Sequence, residues 1–109
     1  MANVFKNAAL ADVNTSYDTL YTCPGATTAV VLGLAIANKN GVSVTASVQF
    51  SDSSAAADYQ LIEGVLLPSN TTLETLEGQK YILEAGDSLK VKAGIASSLD
   101  VILGIMEIS

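Results

Sequence analysis

The chain has 109 residues, of which 50% are hydrophobic, with one cysteine, no histidine and a formal net charge of −6. This length predicts a single domain over residues 1–109 that can bury about 65% of the unfolded chain's surface without a disulfide or a metal. All five basic residues are lysines and most are scattered. That pattern argues against a nucleic-acid binder and against a protein that adheres to anionic membranes.

The first ten residues, MANVFKNAAL, lack the pattern of a secretory signal peptide, because Lys6 and Asn7 interrupt the few apolar residues. The longest apolar run, residues 29–37, is far shorter than the ~20 residues that cross a bilayer. Cys23 has no second cysteine with which to form an intrachain disulfide. We therefore expect a protein that is made in the cytosol and has no membrane partner.

Alternating and doubly apolar segments predict about eight β-strands with turn residues between them. The strands are expected near residues 4–11, 16–22, 29–38, 42–50, 59–63, 80–84, 88–93 and 99–108, with further apolar or extended segments at 65–68 and 72–76. The central prediction is a β-hairpin over residues 29–50, because Asn40–Gly41 suits a tight two-residue turn. No segment has a 3.6-residue period over ten or more residues. The spacing therefore indicates an all-β fold, an antiparallel β-sandwich of the jelly-roll kind.

Two of the predicted strands are apolar on both faces. In residues 29–38 the larger side chains, such as Leu32 and Leu34, are expected to face the core, and the smaller ones are expected to face outward. The last strand carries a second apolar face as well. One small domain has difficulty covering such faces. We therefore predict that a neighbouring subunit contacts a set of outward residues, namely Val31, Ala35, Ile102, Met106 and Ile108.

The sequence offers little catalytic chemistry. Without histidine, no Ser-His-Asp or Cys-His nucleophile pair can form, and no G-x-S-x-G or phosphate-binding glycine loop is present. Glu74 with Glu77, or Glu84 with Asp87, are the nearest carboxylate pairs for a glycosidase. Solvated charges in turns are the preferred interpretation of both pairs. We predict a protein that is not an enzyme and uses no cofactor.

Two binding sites are weaker hypotheses. Asp52 and Asp58 flank a polar loop and offer the oxygen ligands that Ca²⁺ prefers, although their spacing matches no calcium-binding loop. Aromatic side chains are the basis of the second hypothesis, a carbohydrate-binding module with a sugar platform, but half-buried core positions are the commoner role for tyrosine. The tyrosines are Tyr17, Tyr21, Tyr59 and Tyr81.

Several segments together resemble small virion structural proteins of tailed bacteriophages, especially marine ones. They are FKNAALADVNTSYDTLYTCPG, VLGLAIAN, VSVTASV, YQLIEGVLLP, LEGQKYILEAGDSLKVKAG and SSLDVILGIMEIS. The L-E-A-G-D-S-L-x-V turn and strand at residues 83–91, followed by the terminal strand 99–108, is the ending common in such proteins. The resemblance covers nearly the whole chain.

This resemblance implies a non-enzymatic virion protein, made in the host cytoplasm, with a β-sandwich that oligomerises or adds to a capsid or tail surface. Our leading hypothesis is a capsid decoration (cement) protein. Its expected partners are other copies of itself, as a trimer, and the major capsid protein or other virion proteins. A neck-, tail- or fibre-associated protein of the same fold is the alternative, and a carbohydrate-binding module is the alternative from another class.

Overall fold

The computed structural model describes residues 3–75 and 80–109, and in them the chain is all-β. The strands are β1 Asn3–Leu10, β2 Asp18–Thr22, β3 Thr28–Asn38, β4 Val44–Asp52, β5 Ala57–Leu67, β6 Thr72–Glu74, β7 Tyr81–Leu83, β8 Ser88–Ala93 and β9 Leu99–Ile108. The turn predicted at Glu77–Gly78 lies outside the described residues. Within them, no helix long and apolar enough to cross a membrane is found.

The strands form two antiparallel sheets that pack face to face. Sheet A has the order β1-β9-β3-β6, with β7 also paired to β3, and sheet B has the order β2-β8-β4-β5. These orders are those of a jelly roll, in which the chain passes repeatedly from one sheet to the other. Alternate side chains of both sheets meet in one apolar core, including Leu34, Val48, Leu89 and Leu103. The predicted β-sandwich is confirmed.

The predicted hairpin over residues 29–50 is wrong. β3 pairs with β9, β6 and β7 in sheet A, whereas β4 pairs with β5 and β8 in sheet B. A tight hairpin turn needs positive φ angles at its central residues, and neither Asn40 nor Gly41 has one. The connection instead carries the chain across from sheet A to sheet B.

Asn38 fixes this crossing. The side chain is buried, and Nδ2 donates hydrogen bonds to the carbonyl oxygens of Val42, Leu67 and Pro68, while Oδ1 accepts one from the backbone N–H of Asn40. These partners belong to the β3–β4 connection and to the end of β5. A buried amide with every polar atom engaged therefore replaces the hairpin turn.

A β-bulge divides β3 into two halves with different phases. The register against β9 shifts between Val31 and Gly33, so the inward face changes parity there. Leu34 and Ile36 are buried as expected after the bulge, but before it Val31 is buried and Leu32 is exposed. Val31 therefore lies in the core and not on the outer face where it was predicted, and Leu32 takes the outward position.

Polar contacts close one side of the sandwich where β1, β2 and β9 meet. The Tyr21 hydroxyl donates to Oε2 of Glu107 at 2.5 Å, and Nζ of Lys6 lies 3.0 Å from Oε1 of the same carboxylate. These two partners, the hydroxyl first, hold the pKa of Glu107 below its usual value. Burial, with Glu107 beside it, raises the pKa of Tyr21. Glu107 on β9 thus links Lys6 of the edge strand β1 to Tyr21 of the edge strand β2 in the other sheet.

Candidate functional site

The outer side of sheet A is mainly apolar, and its apolar side chains are here called the outer apolar face. Residues that pair directly in an antiparallel sheet project from the same side. The register therefore aligns Ile82, Val30, Met106 and Phe5 in one row across four strands. A second row contains Ala35, Ile102 and Ala9 and ends at the carboxylate of Glu74, which pairs with Ala35. The outer apolar face comprises Phe5, Ala9, Val30, Leu32, Ala35, Ile82, Ile102, Met106 and Ile108.

The largest of these side chains are substantially exposed. Phe5 is 73% exposed, Ile102 56%, Ile82 55% and Leu32 40%. Soluble monomers rarely expose contiguous apolar patches larger than a few hundred Å² unless the patch binds something. This face therefore has the composition of an interaction surface.

A shallow depression of about 230 Å³ lies within this face, between Phe5 and Leu32. Its floor includes Gly104, which pairs with Gly33 across β9 and β3. No atom of residues 3–75 and 80–109 lies within 4 Å of the place where a Cβ of Gly33 would be. Oδ1 of Asn7 lies 3.8 Å from the place where a Cβ of Gly104 would be. The two glycines therefore leave the backbone open to a side chain from another molecule, with Asn7 at the border.

Four of the five predicted contact residues lie together on the outer apolar face. Ile102 is exposed, and Ala35, Met106 and Ile108 are half-buried. Their part in a subunit contact stays a prediction. Phe5, Leu32 and Ile82 were missed, because β1 had no clear inward side in the sequence, the bulge was unforeseen and β7 is very short.

The outer side of sheet B is mostly polar, although Leu66, which pairs with Thr45 on this side, is an exposed apolar residue of the edge strand β5. Lys92 places its Nζ 4.8 Å from the centroid of the Tyr17 ring, and Nε2 of Gln60 donates to the Tyr17 hydroxyl at 2.9 Å. The register aligns Lys90 with Gln49 on this side, and Lys92 with Ser47. We call this set the outer polar face, and its residues are Tyr17, Thr19, Thr45, Ser47, Gln49, Gln60, Lys90 and Lys92.

The loop proposed for calcium uses its carboxylates internally. Oδ1 of Asp52 accepts hydrogen bonds from the N–H groups of Ser54 and Ala55 and from the Ser54 hydroxyl, which lower the pKa of Asp52. Oδ1 of Asp58 accepts one from the Ser51 hydroxyl. Among residues 3–75 and 80–109, no three potential ligands cluster for a metal. These bonds make Asp52 a turn-capping residue.

The carboxylates and tyrosines singled out in the sequence have separate structural places. Asp87 is buried and accepts hydrogen bonds from the backbone N–H groups of Ser53 and Glu84, so it holds the turn before β8. Glu77 lies outside the described residues. Tyr21 binds Glu107 at the side of the sandwich, whereas Tyr59 stacks on Phe50 with ring centroids 6.3 Å apart.

No protein-family model matches the sequence, and a comparison with curated proteins found no significant match. Solved structures with the same fold include one from Bacillus endospore appendages, described as disulfide-linked pili, with 7% identity, a TM-score of 0.59 and coverage of 98% of this chain and 88% of that chain. A chain of the T13 viral particle of IBDV has 8% identity and a TM-score of 0.57, over 96% of this chain and 30% of that chain.

The core of Drosophila NLP, studied for pentamer formation and histone binding, is also similar, with 11% identity and a TM-score of 0.53 over 99% of this chain and 98% of that chain. At such low identities the similarity concerns the fold. The sandwich of this chain is therefore one that also occurs in a pilus protein, a viral particle protein and a pentamer-forming protein.

Proposed function

We propose that this chain is a non-enzymatic structural subunit of a virus particle, and that the outer apolar face packs against further copies of the chain. One observation carries the proposal: large apolar side chains are exposed across four adjacent strands of sheet A. The core lies on the other side of that sheet. Folding of the monomer therefore does not account for these outward residues.

Elementary energetics favour a covered face. Burial of apolar surface contributes about 25 cal/mol per Å², and stable protein contacts bury roughly 800 Å² on each partner. Phe5, Ile102 and Met106 are the large apolar anchors of this face, and the small residues between them allow close approach of a neighbour. Interface cores have this composition of aromatic and Met side chains with few charges.

The compared structures support an assembly role. Each of the three is described through an assembly: pili, a viral particle and a pentamer. The resemblance of the sequence to small virion proteins of tailed phages points in the same direction. A net charge of −6 suits a position away from packaged nucleic acid, which would repel it.

Within this role, a capsid decoration (cement) protein is the placement that we favour. A trimer located in the virion, in contact with the major capsid protein, is the arrangement that the resemblance implies. A neck-, tail- or fibre-associated position would use the same outer apolar face. The carbohydrate-binding alternative is less favoured, because the Tyr21 and Tyr17 hydroxyls are engaged within the chain.

Binding to particles tests this proposal. Particles of the encoding virus, produced without this protein, should take up the purified chain in a sedimentation assay and should then withstand higher temperatures. Ile102→Glu should bind at least tenfold more weakly, whereas Gln49→Glu on the outer polar face should bind normally. Failure of the wild-type chain to sediment with such particles would contradict the proposal. Binding confined to the neck or tail would move the protein away from the capsid surface.

A further inference from the structure

Three of the four sheet edges in the described part of the chain are interrupted. The β2 edge shifts register between Thr19 and Tyr21. The β5 edge shifts register twice against β4 and contains Gly64 at a φ of 60°. The far edge of sheet A is divided between β6 and β7, which have three residues each. Bulges and very short strands hinder pairing with a strand from another chain.

β1 forms the fourth edge and has none of these interruptions. All eight residues from Asn3 to Leu10 pair with β9 in an unbroken register. The strand contains no proline, and within residues 3–75 and 80–109 no strand pairs with its other side. β1 therefore presents an unbroken row of backbone donors and acceptors that can accept another strand.

The charge on β1 gives this edge little protection. Lys6 is the only charged residue in the strand, and its ammonium lies 3.0 Å from the Glu107 carboxylate of the same chain. A compensated lysine repels an approaching positive strand less than a free lysine does. Phe5, exposed beside it, adds apolar surface for a strand that pairs there.

We propose that β1 pairs in antiparallel orientation with β1 of a second copy, so that two sheets A join into one. Antiparallel pairing of identical strands is two-fold symmetric and closes as a dimer, and strand addition at a free edge is a recurrent mode of recognition. The other edges of the chain fit less well because of their interruptions. Among the edge strands of this protein, β1 of a second copy is therefore the most suitable partner for β1.

The symmetry has a geometric consequence. Edge-to-edge antiparallel pairing places the two-fold axis perpendicular to the joined sheet, so both outer apolar faces point to the same side. Phe5 of each copy then lies beside the junction, and the two faces form one continuous surface. This contact goes beyond the proposed function, because it uses the backbone of β1 and not the outer apolar face. Packing through the outer apolar face (the face contact) and pairing of β1 with β1 (the edge contact) would together build a larger oligomer than either contact builds alone.

The test removes the face contact first, with Ile102→Glu, and measures the solution mass by light scattering at micromolar concentration. We expect a dimer that remains through β1. Adding Val4→Lys should convert it into a monomer, because Glu107 already binds Lys6 and Tyr21 and a second lysine stays uncompensated. Val4 is exposed and paired with Glu107, on the opposite side from Phe5. The matched control, Val4→Thr, should leave the dimer intact.

Hydrogen exchange distinguishes backbone pairing from side-chain contact. In the Ile102→Glu dimer, amides of β1 should exchange at least tenfold more slowly than in the monomer formed by adding Val4→Lys. A monomeric Ile102→Glu protein would overturn the edge contact and leave the proposed face contact standing. An Ile102→Glu protein with the wild-type mass would contradict the face contact instead. A dimer that survives Val4→Lys with β1 amides unprotected would also overturn the pairing of β1.

Discussion

The two outer faces of this sandwich differ although the two inner faces are alike. Both sheets bury alternate apolar residues in the shared core. On the outside, sheet B carries mainly lysine, glutamine, serine and threonine, with Leu66 exposed on its edge strand, whereas sheet A carries Phe5, Ile82 and Ile102 exposed to solvent. The outer polar face is suited to water, and the outer apolar face is suited to a partner.

This difference shows which strands have side chains that are needed for the fold alone and which have a second apolar side that the fold does not bury. A strand that is polar on one side, such as β8 with Lys90 and Lys92 outward, serves the fold alone. A strand that is apolar on both sides, such as β9 with Ile105 inward and Ile102 outward, serves the core and a second surface. We infer that doubly apolar strands in a small sandwich indicate assembly.

The largest expected effect comes from a charge placed in the core between the two sheets. Val44→Asp would place a carboxylate among buried residues, at a cost of several kcal/mol that is comparable with the whole stability of a small domain. We expect an unfolded or insoluble protein by circular dichroism. Val42→Asp is the matched control, because Val42 is exposed just before β4, and this variant should fold and melt normally. A cooperatively melting Val44→Asp protein would show that this residue is not in the core.

The next effect concerns the crossing between the two sheets. Asn38→Ala would leave the carbonyl groups of Val42 and Leu67 without their side-chain donor, so the free energy of unfolding should fall by about 2–3 kcal/mol. Asn40→Ala loses a single hydrogen bond to the Ser98 hydroxyl and should cost less. Urea denaturation measures both. Equal losses would mean that Asn38 does not hold the crossing.

Two smaller effects on stability compare a residue of the outer polar face with a residue of the outer apolar face. Lys92→Ala removes the ammonium from the Tyr17 ring and should lower the free energy of unfolding by about 0.5–1 kcal/mol. Phe5→Ser removes an exposed side chain and should change the stability of the monomer by less than about 0.5 kcal/mol. Thermal melts of dilute protein compare them. A larger loss from Phe5→Ser would assign the outer apolar face a role in folding.

The smallest effect is a dependence of stability on pH. Hydrogen bonds from Tyr21 and Lys6 lower the pKa of Glu107, and the Asp12 N–H and Lys39 lower that of Asp100. Carboxylates with lowered pKa stabilise the fold above their unfolded values, about 4.3 and 3.9, and this contribution is lost as the pH falls through the folded values. The melting temperature should stay level from pH 7 to 5 and fall below about pH 4. Glu107→Gln should flatten that fall, and an unchanged profile would contradict the role of the Glu107 carboxylate.

The sequence predicted the sandwich because its signals are local. Alternation in residues 88–93 and 99–108 places Leu89 and Leu103 in the core as the structure does, and turn residues separate the strands. Pairing between distant strands is not a local property. The hairpin was wrong because the Asn38 side chain binds groups near residues 42 and 67, which no turn motif reveals.

The candidate site was predicted in part for the same reason. Ile102 and Met106 alternate with core residues, so their outward direction follows from β9 alone. Val31 was misplaced because the bulge in β3 depends on its register against β9. Phe5 joined the outer apolar face only through the pairing of β1 with β9. Pairing between strands far apart in sequence determines which residues lie on the outer apolar face, and alternation within one strand does not reveal that pairing.

The solution mass of three proteins tests the central claim most directly. Light scattering at micromolar concentration should find the wild-type chain as an oligomer, Ile102→Glu at a clearly lower mass, and Gln49→Glu at the wild-type mass. Both variants add one negative charge on a central strand, one on each outer face. Equal losses in both variants, or a strictly monomeric wild-type protein, would contradict the assignment of the outer apolar face to assembly.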